Sequence, residues 1–149
     1  MSAGLTPEEQ NMDLVRTFVE EAINQGNLDV VDRCFADNFV DHHGLPNMEH
    51  GRDGVKQAII AFRTAFPDLH FTIDGMMGEG NKVVVRWTGN GTFSEEFLGN
   101  PPANKPLTVA GVDIIRMENG KIAERWASYD YFGVLLQLDM VPEPAKLPR

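Results

Sequence analysis

The sequence predicts one α+β domain in which helices come first and cover one face of a strongly bent sheet, giving a cone with an internal cavity. Three observations predict it. Apolar residues recur at helical spacing as far as Pro67 and at every second position beyond it. The helical part opens on a capping signature. The strand part is divided by short turns of Gly and Asn, the residues that tolerate positive φ.

Taken in order, Thr6-Pro7-Glu8-Glu9 joins an N-cap hydroxyl, Pro at the first helical position and Glu three residues after the cap. Leu14, Val15, Phe18, Val19, Ala22 and Ile23 extend this helix as one apolar stripe, and Asn24-Gln25-Gly26 ends it. A second helix is predicted from Asn27 to Phe35, with Val30, Val31, Cys34 and Phe35 on one face. A short extended piece, Asn38 to His42, and a loop with Gly44 and Pro46 lead to a third helix from Arg52 to Phe66, which Pro67 stops. Four antiparallel strands follow, Leu69 to Met77, Lys82 to Phe93, Lys105 to Met117 and Lys121 to Tyr131, turning at 78–81 and 118–120. Residues 1–6 and 139–149 read as extended terminal segments, the latter because of Pro142, Pro144 and Pro148.

Thirteen Lys and Arg against 22 Asp and Glu give a net charge of −9, whose field repels phosphate backbones and anionic lipid. Nucleic acid and membrane are therefore not expected partners. The N-terminus has neither a basic start nor a long apolar stretch, and no later segment is long and apolar enough to span a bilayer, so a cytoplasmic protein is expected. Cys34 is the single cysteine; with no partner for a disulfide it reads as a buried small apolar residue.

Four blocks carry a family resemblance: Ala65-Phe66-Pro67-Asp68-Leu69-His70, Lys82-Val83-Val84-Val85-Arg86-Trp87, Phe97-Leu98-Gly99-Asn100-Pro101-Pro102, and the run from Gly111 to Trp126. In this order and spacing the chain resembles the SnoaL-like polyketide cyclases, also called predicted ester cyclases, of the nuclear transport factor 2-like (cystatin-like) superfamily. The resemblance implies a single domain over 1–149, a cone-shaped antiparallel or mixed sheet under three N-terminal helices, and a homodimer. It also implies cofactor-free and metal-free chemistry on a small hydrophobic molecule. Characterised cyclases of the family close a ring by an intramolecular aldol reaction, a carboxylate in the cone taking a proton alpha to a carbonyl. Their base lies directly after the residue matched to Trp126, and here that position is Ala127, whose methyl group accepts no proton.

Asp113 is the replacement carboxylate that the strand pattern offers, on one face with Val109, Gly111 and Ile115. Among apolar neighbours alone its charged form is disfavoured, which suits a general base. Paired with Arg125, across the 118–120 turn, it is instead a structural ion pair. Arg125, Ala127 and Tyr129 alternate on one face, so Arg125 and Tyr129 are candidates for holding an oxyanion or enolate, and His43 for moving a proton at the mouth. Trp87, Ile115, Phe18, Phe62 and Asp41 are the candidate substrate-binding residues. Asp130 falls on the opposite face and reads as a turn residue at a helix end.

Overall fold

The computed structural model describes residues 4–140. The helix α1, Pro7–Thr17, begins where the capping signature places it: the Thr6 hydroxyl accepts a hydrogen bond from the Glu9 amide at 3.1 Å, a cap worth about 1 kcal/mol. It then widens into a π-helical turn, Phe18–Ile23, where regular α-helix was predicted. That turn ends at Asn24, whose side-chain amide both donates to and accepts from the Phe71 backbone and so satisfies a sheet edge. Helix α2 is Asp29–Cys34, strand β1 Phe35–Asp41 and helix α3 Gly51–Ala65. The first two differ from expectation, since Phe35 belongs to the strand and starts its pairing with Ile122 rather than closing the helix.

The remaining strands are β2 His70–Glu79, β3 Lys82–Thr92, β4 Pro106–Glu118 and β5 Lys121–Tyr129. They form one mixed sheet in the order β1-β5-β4-β3-β2, antiparallel throughout except that β1 lies parallel to β5. The β4–β5 turn needs backbone that Asn and Gly adopt readily: φ is 52° at Asn119 and 74° at Gly120. Register shifts between Ile73 and Gly75 and between Arg116 and Met117 let the sheet bend.

The last strand stops two residues short of the predicted Tyr131, because Asp130 caps a short helix α4, Tyr131–Gln137, which the sequence reading did not foresee. The Asp130 carboxylate accepts from the Gly133 amide at 2.9 Å. Residues 139 and 140 follow α4, and the extended tail inferred from the three prolines lies, with residues 1–3, outside the described residues.

The helices pack on the inner face of the sheet. Val15, Ala22, Val30, Val31 and Cys34 meet Val83, Val85, Ile115, Met117 and Ile122 in the main core. A second cluster of Ala65, Phe93 and Leu107 lies under α4, with Val134 and Leu138 packed on it. Among the described residues no helix is long and apolar enough to cross a membrane.

Candidate active site

Pairing across the sheet fixes which side chains look inward. Trp87 pairs with Gly111, Gly111 with Tyr129, Val85 with Asp113, Asp113 with Ala127, and Ile115 with Arg125. Asp41, at the end of β1, pairs with Arg125. Period-two alternation therefore gathers Asp41, Trp87, Asp113, Arg125, Ala127 and Tyr129 on the face that also carries the core residues Val85 and Ile115.

Arg125 is the centre of this group. Its Nε donates to Asp113 Oδ2 at 2.8 Å, and its Nη1 donates to both oxygens of Asp41 at 3.0 Å. Burial works against the guanidinium's charge, but Asp113 and Asp41, through charge and hydrogen bonds, more than offset it and hold Arg125 above its ordinary value. The other oxygen of Asp113, Oδ1, accepts from the indole Nε1 of Trp87 at 3.0 Å. Both oxygens thus meet donors, an arrangement that suits the ionised carboxylate. Two carboxylates on one guanidinium leave the group with a formal charge of −1.

The segment Asp41-His42-His43 clips round β5. Asp41 grips Arg125 from inside. On the outer face, His42 stacks on Trp126 with ring centroids 5.1 Å apart and bonds Glu124 through Nε2 at 2.6 Å. At the edge, where β1 has ended, His43 Nδ1 accepts the Ala127 amide at 3.0 Å, so an imidazole takes the place of the next strand's carbonyl. With Nδ1 an acceptor, the ring proton of neutral His43 sits on Nε2. The same histidine's amide donates to Asp41 Oδ1 at 2.9 Å.

The structure thus brings together Asp113, Arg125, Asp41, His43 and Trp87. The alternative of an unpaired Asp113 is replaced by the ion pair. Asp41, expected as a substrate contact, is the second carboxylate of Arg125. Tyr129 shares the face but is 38% exposed and packs edge-on to Tyr131, and Ile115 lies in the core beside the ion pair. Phe18 packs edge-on to Phe35 within the helix-side core, and Phe62 stacks on Phe97.

Two contributors were missed. The sequence marks Trp87 as a substrate contact and not as a donor to Asp113, and Gly111 only as a strand position. A Cβ at residue 111 would stand 2.5 Å from Trp87 Cζ2 and 2.8 Å from Tyr129 Cβ, so only glycine lets the indole cross β4. The available signal was a lone glycine inside a strand, flanked by Val109, Val112, Ile114 and Ile115. A shallow open cleft lies elsewhere, between Leu28 and the Ile60–Thr64 stretch of α3. Its one charged group, Arg63, is committed to the carbonyls of Ile23 and Asn24.

Comparison with known proteins gives the fold its relatives. The family described as SnoaL-like polyketide cyclase matches residues 13–138. No curated protein matches the chain by sequence. Among solved structures, TsrD from Streptomyces laurentii is 28% identical with a TM-score of 0.83, covering 92% of this chain and 100% of its own. IdmH from Streptomyces antibioticus is 29% identical with a TM-score of 0.76, covering 87% and 99%. A SnoaL-like polyketide cyclase from Agrobacterium tumefaciens shares the fold at 19% identity and a TM-score of 0.72, covering 86% and 97%.

Proposed function

Starting from the chain's membership of the SnoaL-like polyketide cyclase family, we propose that it is a cofactor-free enzyme acting on a small hydrophobic ketone or ester by proton abstraction alpha to a carbonyl. The observation that carries this reading is the position of the Asp113 carboxylate on the inner face of β4, where Trp87 and Arg125 orient it. It is the cross-strand partner of Ala127, so a carboxylate on β4 stands opposite the position from which the family's base acts.

In this mechanism Asp113 takes the α-proton and the substrate becomes an enolate. Negative charge then develops on the carbonyl oxygen, where Arg125, the Nε2–H of His43 and the Tyr129 hydroxyl are the available donors. The enolate carbon forms the ring bond to a second carbonyl, whose oxygen becomes an alkoxide and recovers the proton from Asp113. Proton and charge balance, and the base is restored. A site already carrying a charge of −1 favours a neutral ketone or ester over a carboxylate.

The test is wash-in of deuterium from D2O at the α-carbon of aryl ketones and keto esters such as methyl 2-acetylbenzoate, read by mass spectrometry. Native protein accelerates exchange on at least one member of the panel, and Asp113→Asn lowers the rate by about 10²- to 10⁴-fold, the usual contribution of a general base. Equal exchange in native and variant protein sinks the assignment of Asp113 as base.

A second reading, a dimeric module that binds a small molecule without reacting it, draws on two observations. Ala127 stands in the family's base position and both oxygens of Asp113 are already engaged. Saturable quenching of Trp87 fluorescence by the same ketones, with no deuterium wash-in, selects it. Either reading takes a homodimer through the outer sheet face.

A further inference from the structure

We infer that Trp87 is a positioning residue for the reaction, holding the Asp113 carboxylate in one orientation through its indole N–H; this rests on the assignment of Asp113 as base. A carboxylate anchored by one donor can still rotate about its Cβ–Cγ bond. Asp113 is anchored at both oxygens, by Trp87 Nε1 at 3.0 Å on Oδ1 and by Arg125 Nε at 2.8 Å on Oδ2, so its plane is fixed. Without the indole, only the guanidinium that Asp113 shares with Asp41 would orient it.

The indole is itself held on two sides. Phe71 of β2 stacks on it, with centroids 4.9 Å apart and planes 24° from parallel. Below it, Gly111 leaves the gap that any Cβ would close. Trp87 is 9% exposed, so in this apolar setting its one polar group needs a protein partner, and Asp113 is that partner. Three neighbouring strands therefore cooperate in aiming one N–H, beyond what wall packing requires: a phenylalanine could also stack on Phe71, filling less of the space, and has no N–H to donate.

Two measurements test this. In native protein, the Trp87 indole resonance, distinguished from that of Trp126 by Trp126→Phe, follows the same pH midpoint as the Asp113 carboxyl carbon and exchanges with solvent slowly. An indole that ignores the carboxyl titration overturns the inference, and this leaves Trp87 and Asp113 themselves unaltered. In the deuterium wash-in assay, Trp87→Phe lowers the rate by about 10- to 100-fold, the value of one hydrogen bond to a charged group. It also moves the acid limb of the pH–rate profile upward, because the ionised carboxylate has lost a donor. Loss of packing alone lowers thermal stability and leaves that limb in place. Should Asp113→Asn abolish wash-in while Trp87→Phe keeps the native rate and limb, positioning by Trp87 is overturned and the base stands. Should Asp113→Asn keep native wash-in, the base assignment fails, and the indole titration still decides whether Trp87 holds that carboxylate.

Discussion

Removing the side chain of Arg125 leaves Asp41 and Asp113 on one inner face with nothing to balance either charge. Breaking a fully buried pair costs about 3–5 kcal/mol, and the part of this site open to water reduces that to about 2–3 kcal/mol for Arg125→Ala, read from the denaturant midpoint at neutral pH. At Gly111 the argument is steric: Gly111→Ala forces a methyl group against Trp87 and Tyr129, an overpacking cost of about 1–3 kcal/mol in a denaturant melt. The pairing of Asp113 with Arg125 was legible because both residues flank one tight turn, which fixes their register. The indole bond was not, because Trp87 reaches Asp113 across β3 and β4, whose register depends on the irregular segment between Phe93 and Lys105.

Individual strands and helices follow the sequence wherever a local signal governs them. Thr6 caps α1, Pro67 lies just beyond α3, and Asn119-Gly120 turns β4 into β5. The departures occur where distant chain decides. Phe35 falls on the apolar face of the predicted helix with Val30, Val31 and Cys34, yet it is drawn into β1 by its pairing with β5, 87 positions further on. Asp130 was assigned to a turn at a helix end without the helix being recognised, since α4 is only seven residues long and leans on the second core cluster rather than on its own periodicity. Asp130→Ala removes the cap and costs about 1 kcal/mol, seen as faster amide exchange through α4 with the sheet unchanged. Another element-scale tie joins the strand ends: Asp68 accepts from both the amide and the hydroxyl of Thr92. The backbone bond first, then the hydroxyl, holds its carboxyl below the ordinary carboxylate range. A group lowered in this way adds stability above its unfolded value near ~3.9 and loses it as pH falls through the lower folded value. Native protein is thus more stable than Asp68→Asn at neutral pH, and the two thermal melts converge in acid; a gap that widens in acid would reverse that sign.

At the scale of the whole molecule, a five-stranded sheet with helices on one face leaves its other face to water or to a partner. That outer face is not uniformly polar. Val84 pairs with Ile114 and Ile114 with Trp126, so three apolar side chains adjoin across β3, β4 and β5. Val112, one step along, is 40% exposed and Ile114 41%. This face was anticipated as a dimer surface, and the strip gives that expectation residues. His42 stacks on Trp126 at its margin, and the adjoining Asp41 and His43 reach the inner cluster, so the strip borders the clip that holds Arg125. A second copy related by a two-fold axis would bring each Ile114 near its counterpart strip, in a closed, self-complementary contact. In such a contact Ile114→Glu sets like charges close together on chains that already carry −9 each, and sedimentation should show the proposed dimer replaced by monomer. In the proposed dimer the contact would be apolar and the long-range charge repulsive, so added salt should tighten it by screening that repulsion, whereas a dimer held by ion pairs would weaken. A native protein that sediments as a monomer at every salt concentration would assign the strip to some other occupant.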